Sequence, residues 1–428
     1  MKRYTLVTTL VLIIANTFGQ SAYDALNFST TFHSGSSRSL GMGGAFTALG
    51  SDPTSASLNP AGLGLYQSSD VQTTFAFDMG NTETNYLGNK TSEQHYNLLT
   101  QGFGFVFSIP NPQNYESGTG RISNVFAVNY NRVNSLDLDL VAKGTLSQID
   151  QEWENYSRGN ISHFDFSFAV NESNRLFYGL TFSLSSIDQT EDLTLTESDP
   201  QDVVPNVVRN IQNDYFDRRG LGFGIKTGIL YAVTNQFRIG AAFHTPTIVS
   251  INEKYDYKTR TSYPNGIDSL TVEYYETDFN VLTPMRFALG ISNVFANRVL
   301  LSLDYELSPY NTIRLDGNYY SYSDENREIK NNFVVRHGVR LGSELNLGGI
   351  LLRAGGFYYS SPVKTSINDL SKLGLTVGAG IRIGNFYTDL AYSHVQNSGK
   401  YSIYNELAMR FSYDQTVSNV FATFGLRF

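Results

Sequence analysis

The sequence predicts an all-β fold: a 14-stranded antiparallel transmembrane β-barrel with an N-terminal plug, or hatch. Three observations carry that prediction. Apolar and polar side chains alternate with a period of two through most of the chain. The last residues form such a strand, with Val420, Ala422, Phe424, Leu426 and Phe428 on one face and Thr423, Gly425 and Arg427 on the other. Residues 38–63, by contrast, are too rich in Gly, Ala and Ser for a membrane strand and hold two helix starts in series.

The alternation is explicit in several places. Phe164, Phe166, Phe168 and Val170 interleave with His163, Asp165, Ser167 and Ala169, and Phe237, Ile239, Ala241 and Phe243 interleave with Arg238, Gly240, Ala242 and His244. Strands are predicted near 70–78, 97–109, 122–134, 162–171, 176–190, 217–233 and 237–253, then near 271–295, 299–313, 333–347, 350–361, 373–384, 386–397 and 407–428. The even total suits a single-chain bacterial barrel. Short connections at Thr234–Gln236, Ala296–Arg298, Gly348–Gly349 and Asn385 are expected on the periplasmic side. Long ones at 79–96, 135–161, 191–216, 254–270 and 314–332 are expected outside.

Composition agrees. Charged residues make up 16% of the chain, below the usual ~25%, while aromatics reach 14% and mean hydropathy is −0.22. That balance suits a wall with lipid on one face and water on the other, although a soluble β-sandwich shares it. The net charge of −8 argues against a nucleic-acid partner. Residues 1–19 have the form of an export signal: Lys2 and Arg3, an apolar run from Leu6 to Ala15, and small residues before a cut after Gly19. The run is shorter than the ~20 residues of a spanning helix.

The barrel needs its plug because of its width. About 8 strands can be filled by wall side chains, whereas ~16 leave a water channel. Residues 20–66 are expected to fill the difference, with 67–428 as the barrel. Asp52 is placed to cap a short helix with Pro53 in its first turn, and Asn59 with Pro60 repeats the arrangement ahead of Ala61. Gly41, Gly43 and Gly44 permit close packing.

Charge falls on the inward phase of the strands, as at Lys226, Arg238, Arg286, Arg336, Arg340, Arg353, Asp165, Asp304, Glu306, Glu344 and Asp389. A lipid-facing Arg at mid-membrane costs ~2–4 kcal/mol, so the membrane demands this phase. Most of these groups are expected to pair with each other. Arg286 and Arg353 are the candidates for holding a ligand carboxylate. In the loop 191–216, Val207, Val208, Ile211 and Tyr215 fall on one helical face after Pro205, which predicts a helix whose apolar stripe either packs onto the loops at the barrel top or is offered to a ligand. A second helical patch, with Ile149, Trp153 and Tyr156, is expected at 146–157.

Enzyme chemistry has no support. Gly-x-Ser-x-Gly and His-Glu-x-x-His are absent, the six histidines are scattered, and no Gly-Lys-Ser/Thr follows the Gly41–Gly44 run. With no cysteine and no ligand cluster, neither a metal nor a cofactor is expected.

The segment Asn59-Pro60-Ala61 resembles the hatch hallmark of the FadL/TodX family of outer-membrane transporters for long-chain fatty acids and other hydrophobic compounds. Gly222–Tyr231 with Phe237–Pro246, Thr283–Gly290 and Leu352–Tyr358 resemble strands of the same family. The terminal strand ending in Phe428 resembles the signal read by the barrel assembly machinery. The resemblance implies 14 strands and a Gram-negative outer membrane, in contact with lipid and lipopolysaccharide. It further implies passive transport: capture of a fatty-acid-like molecule by outer loops, a pocket above the hatch, and lateral exit through a kink in the third strand. Here Val125–Val133 contains neither Gly nor Pro. Some barrels of this kind, the PorV-like ones, instead act as protein-binding shuttles of a type IX secretion system, and the residues do not separate the two roles.

Overall fold

The computed structural model describes residues 20–112, 114, 120–318, 320–402 and 410–428. The expected signal at 1–19, and the first three residues of the strand expected at 407–428, lie outside the described residues. Eighteen hydrogen-bonded segments form one closed sheet. Four staves each consist of two segments with a short break, so the segments make fourteen staves.

The staves are β1 (Asp70–Tyr86), β2 (Asn89–Pro110), β3 (Arg121–Ser135 and Leu138–Leu146), β4 (Ile149–Glu172), β5 (Leu176–Ser198), β6 (Arg209–Ala232) and β7 (Phe237–His244 and Ile248–Ser262). Then follow β8 (Asp268–Leu282 and Arg286–Phe295), β9 (Val299–Pro309 and Arg314–Gly317), β10 (Val335–Asn346), β11 (Ile350–Tyr359), β12 (Lys372–Ile383), β13 (Phe386–Ser402) and β14 (Arg410–Arg427). Neighbours are antiparallel throughout, and β1 meets β14 from Asp70↔Arg427 to Asn85↔Ser412, which closes the cylinder.

Each predicted strand falls on one stave, and the predicted phase holds. Phe164, Phe166 and Phe168 face outward, while His163, Asp165 and Ser167 are buried inside. Outward Phe77, Phe107, Phe126, Phe182, Phe223 and Leu289 continue the apolar belt around the wall. An even-numbered antiparallel barrel with such a belt is the architecture of the Gram-negative outer membrane.

The wall is uneven in height. Staves β4, β5 and β6 run 24, 23 and 24 residues, against 12, 10 and 12 for β10, β11 and β12. A crossing needs ~9–11 residues, so the long staves continue beyond the bilayer as a curved sheet. This corrects the long outer loops expected at 79–96, 135–161 and 254–270, which are strand extensions ending in tight turns. Leu87–Gly88 and Ser147–Gln148 have positive φ at both positions, as a two-residue hairpin turn requires.

Both helical expectations on the outer face are also corrected. Val207 and Val208 lie in the turn before β6, with Asp199 accepting from the amides of Val203 (2.9 Å) and Val204 (2.6 Å), and Ile211 and Tyr215 lie on β6 itself. Ile149, Trp153 and Tyr156 belong to β4, with Trp153 buried and Tyr156 exposed. A spacing of four is a multiple of two, so Val207, Ile211 and Tyr215 satisfy a strand as well as a helix. The connection at 314–332 does carry a helix, Ser323–Asn332, whose Ile329 is buried.

Trp153 is the chain's single tryptophan, 4.7 Å from the Tyr401 ring and 5.2 Å from that of Phe411 between ring centroids. Its emission is expected to be blue-shifted and protected from acrylamide. Phe411→Ala should red-shift it and lower stability by about 3–5 kcal/mol; an unchanged spectrum would contradict this packing.

Candidate functional site: a hatch stitched below an apolar chamber

Residues 20–66 are built from short helices: α1 (Ala22–Ser29), α2 (Ser37–Gly41), α3 (Ser55–Leu58) and a 3-10 turn at Pro60–Leu65. The Asn59 side chain caps the 3-10 turn by accepting from Ala61 N at 3.1 Å, with Pro60 in its first position. Its amide nitrogen then donates to Thr47 O (2.7 Å) and Ile229 O on β6 (3.2 Å), so one residue ends a helix, starts a turn and ties both to the wall. Asp52 accepts from Thr54 N (2.9 Å) and Ser36 Oγ (2.7 Å), and regular helix starts at Ser55, slightly later than expected from Asp52–Pro53.

Backbone approaches this close need glycine in the wall. A Cβ on Gly179 would lie 2.4 Å from Pro60 C, and one on Gly355 would lie 2.3 Å from Met42 C. Within the segment, Gly43 has φ +63° and lies against Gly356, while Gly44 has φ +72° and packs on His33; Gly41 touches Gly378. Small residues were legible here; their partners on β11 and β12 were not.

Charge completes the attachment. Asp304 on β9 accepts from Phe46 N and Thr47 N, each at 2.8 Å, and pairs with Arg340 at 3.4 Å. Arg38 meets Glu344 at 3.3 Å, and Glu344 also takes Arg353 at 2.7 Å, whose other arm holds Asp389 at 2.5 Å. On the far wall Ser57 donates to Asp165 (2.5 Å), which pairs with Lys226 (2.8 Å). Burial, with the Arg340 guanidinium nearby, pushes the His33 imidazole down to about 3, and its Nδ1 lies 3.2 Å from the Tyr359 hydroxyl. Residues 36–66 are thus bound to opposite sides of the lumen.

Residues 20–32 sit differently. Helix α1 was not anticipated, although Ser21 and Asp24 form a capping box ahead of Ala25, Leu26 and Phe28, which is a sequence-level signal. Its apolar face enters a chamber in the outer half of the lumen walled by Val133, Ile187, Ile251, Phe279, Tyr310 and Phe333. The ion pair of the helix itself is Asp24 with Arg218 at 3.8 Å. Beneath it lies a cavity of about 50 Å³ lined by Phe28, Thr31, His163, Lys226, His244 and Arg286.

The two candidate arginines therefore differ. Arg353 is buried between two carboxylates. Arg286 lines the cavity, donates to the Thr31 hydroxyl, and has Glu306 4.0 Å away. Lys226, Arg286, Arg336 and Arg340 face Asp165, Asp304 and Glu306 around this base, which leaves one positive charge in excess. Val207, Val208, Ile211 and Tyr215 are not brought to this site.

The wall beside the chamber is incomplete. Pairing of β2 with β3 begins at Gly102↔Asn131 and runs toward the periplasmic end, so Asn89–Gln101 is paired with β1 alone among the described residues. Side chains cross the interval: Asn97 Nδ2 to Asp137 Oδ2 at 3.0 Å and Gln101 Nε2 to Arg132 O at 2.8 Å. Val133 and Leu136, at this break, belong to the apolar chamber.

No protein-family model and no curated protein matches the sequence. Solved structures do. The toluene transporter TodX of P. putida matches with a TM-score of 0.63 at 13% identity, over 93% of this chain and 99% of its own. A Pseudomonas aeruginosa FadL homologue matches at 0.62 and 12%, over 92% and 99%. The Ralstonia pickettii toluene transporter TbuX matches at 0.58 and 16%, over 93% and 99%. The chain has the fold of the FadL/TodX transporters.

The third stave, where the sequence led to an expected kink, is irregular from the end of Val125–Val133 onward. The register against β4 slips between Arg132 and Asn134, and the stave breaks at Leu136–Asp137. The glycine at the break is on the neighbouring stave: Leu136 N donates to Gly159 O at 3.0 Å, and a Cβ on Gly159 would lie 2.1 Å from Asp188 O.

Asp304→Ala is expected to cost on the order of 3 kcal/mol, because two hatch amides and a buried guanidinium lose their acceptor. Limited proteolysis should then cut residues 36–66 while the barrel stays heat-modifiable on gels; equal protection in variant and parent would contradict the stitching.

Proposed function

We propose that this chain is a passive outer-membrane transporter for hydrophobic compounds, long-chain fatty acids among them. The observation that carries the reading is the apolar chamber that adjoins a wall gap and lies above a tightly bound segment. Residues 36–66 act as the plug that blocks water and small solutes. A hydrophobic molecule from outside takes the chamber by displacing α1. A carboxylate head, where present, settles at Arg286 in place of the Thr31 hydroxyl, where the local excess of positive charge favours it. The tail then leaves between β2 and β3 at the outer edge of the bilayer, where no backbone ladder has to be broken. Proteins of like fold are described as toluene and monoaromatic-hydrocarbon channels, which fits ligands with no head group at all.

The exit is testable because the chain contains no cysteine. Asn97→Cys with Asp137→Cys should form a disulfide across the gap. Oxidised protein in vesicles is expected to bind dodecanoate and fail to release it, with reduction restoring uptake. In the same vesicles Arg286→Ala should slow dodecanoate and leave toluene unaffected. Normal uptake through the oxidised variant would overturn the lateral route.

A further inference from the structure

The cavity beneath α1 is more polar than a hydrocarbon or a plain fatty acid requires. Ser29 Oγ at the end of α1 and Ser183 Oγ on β5 both line it. Both are buried, and neither has a hydrogen-bond partner among the described residues. Ser185, on the same inward face of β5 as Ser183, and Ser308 on β9 line the cavity too and are buried. A hydroxyl buried without a partner is costly. A space of about 50 Å³ with such a lining therefore suits water or the polar part of a ligand.

The position of these hydroxyls relative to Arg286 decides which polar part fits. Arg286 on β8 stands opposite His244 on β7, and His244 opposite Lys226 on β6. Gly224, two residues before Lys226, stands opposite Ser183 on β5. Arg286 and Ser183 are thus three strands apart, about 14 Å along the wall. The long arginine side chain covers part of that interval, and a carboxylate with a few further atoms fills the rest. Lys226 lies between them but is held by Asp165 at 2.8 Å, whereas the carboxylate of Glu306 is 4.0 Å from Arg286. Ser183 and Ser185 belong to the wall and stay when α1 withdraws; Ser29 leaves with the helix.

We propose that this site selects carboxylic acids bearing a hydroxyl close to the head group, such as 3-hydroxy acids. Arg286 holds the carboxylate, and the ligand hydroxyl bonds to Ser183 with Ser185 beside it. A plain acid in the same place leaves Ser183 facing a methylene group. A site that hydrogen-bonds a substrate hydroxyl discriminates against the analogue lacking it. This rests on the reading of Arg286 as the head-group site and adds the hydroxyl selectivity to it.

The test is calorimetric titration of the protein in lipid nanodiscs with dodecanoate, 3-hydroxydodecanoate and 12-hydroxydodecanoate. The 3-hydroxy acid is expected to bind about tenfold more tightly than dodecanoate. The 12-hydroxy acid should bind more weakly than either, because its hydroxyl enters the apolar chamber. Ser183→Ala with Ser185→Ala should abolish the preference for the 3-hydroxy acid. Dodecanoate binding with no such preference would overturn the hydroxyl site and leave the head-group reading standing. An equal gain for both hydroxy acids, or a preference that survives in an assembled double variant, would also overturn the hydroxyl site. Failure of all three acids to bind would overturn it together with the head-group reading. The three acids are compared on the parent protein, so that comparison decides even where the double variant does not assemble.

Discussion

A closed wall of fourteen staves encloses more volume than its own side chains can occupy, and the rest of the molecule follows from that mismatch. The lumen has to be filled by chain, and chain brings amide groups that need partners once water is excluded. Here the wall supplies them. Asp304 receives two hatch amides, Thr423 Oγ1 receives the amide of Ser37 at 2.8 Å, and the Thr181 hydroxyl donates to Ala56 O at 3.0 Å. The carboxylates that do this are themselves balanced by Arg340, Arg353 and Lys226. Buried ion pairs of this kind add little net stability compared with apolar packing; what they supply is position, because breaking one leaves a charge stranded.

That attachment is unequal along the segment. Residues 36–66 touch both sides of the lumen through charged and amide bonds. Helix α1 is held mainly by burial of Ala25, Leu26 and Phe28. Apolar contact is exchangeable with any other apolar molecule, whereas the polar stitching is not. The division separates a part tied by polar bonds from a part packed by apolar contact. The latter also lies beside the interval between β2 and β3, where side chains span what a ladder spans elsewhere.

The membrane explains which features were legible in the sequence. Within the bilayer, lipid on one side and a polar lumen on the other impose alternation, and every stave could be located by it. Above the bilayer both faces meet water, so Thr82–Thr84 and Thr91–Glu93 continue β1 and β2 with no apolar signal. The same ambiguity let Val207, Ile211 and Tyr215 pass for a helix. In the hatch, Asn59–Pro60 was legible because a cap is a local device, while α1 went unread despite its capping box. Arg286 and Arg353 look alike in sequence, both on the inward phase. What separates them is register: Glu344 and Asp389 fall beside one, and a cavity falls beside the other. The break in β3 likewise finds its partner on another strand, where Gly159 of β4 accepts from Leu136 N and donates to Asp137 Oδ1.

In the function proposed above, a cylinder too wide to fill itself is sealed by its own leading segment. Ion conductance across a planar bilayer tests it most directly. The protein with its leading segment intact is expected to insert without conducting, and the chain lacking residues 36–66 to show a steady open pore. Conductance through the intact protein, or a silent but correctly assembled deletion variant, would contradict the account.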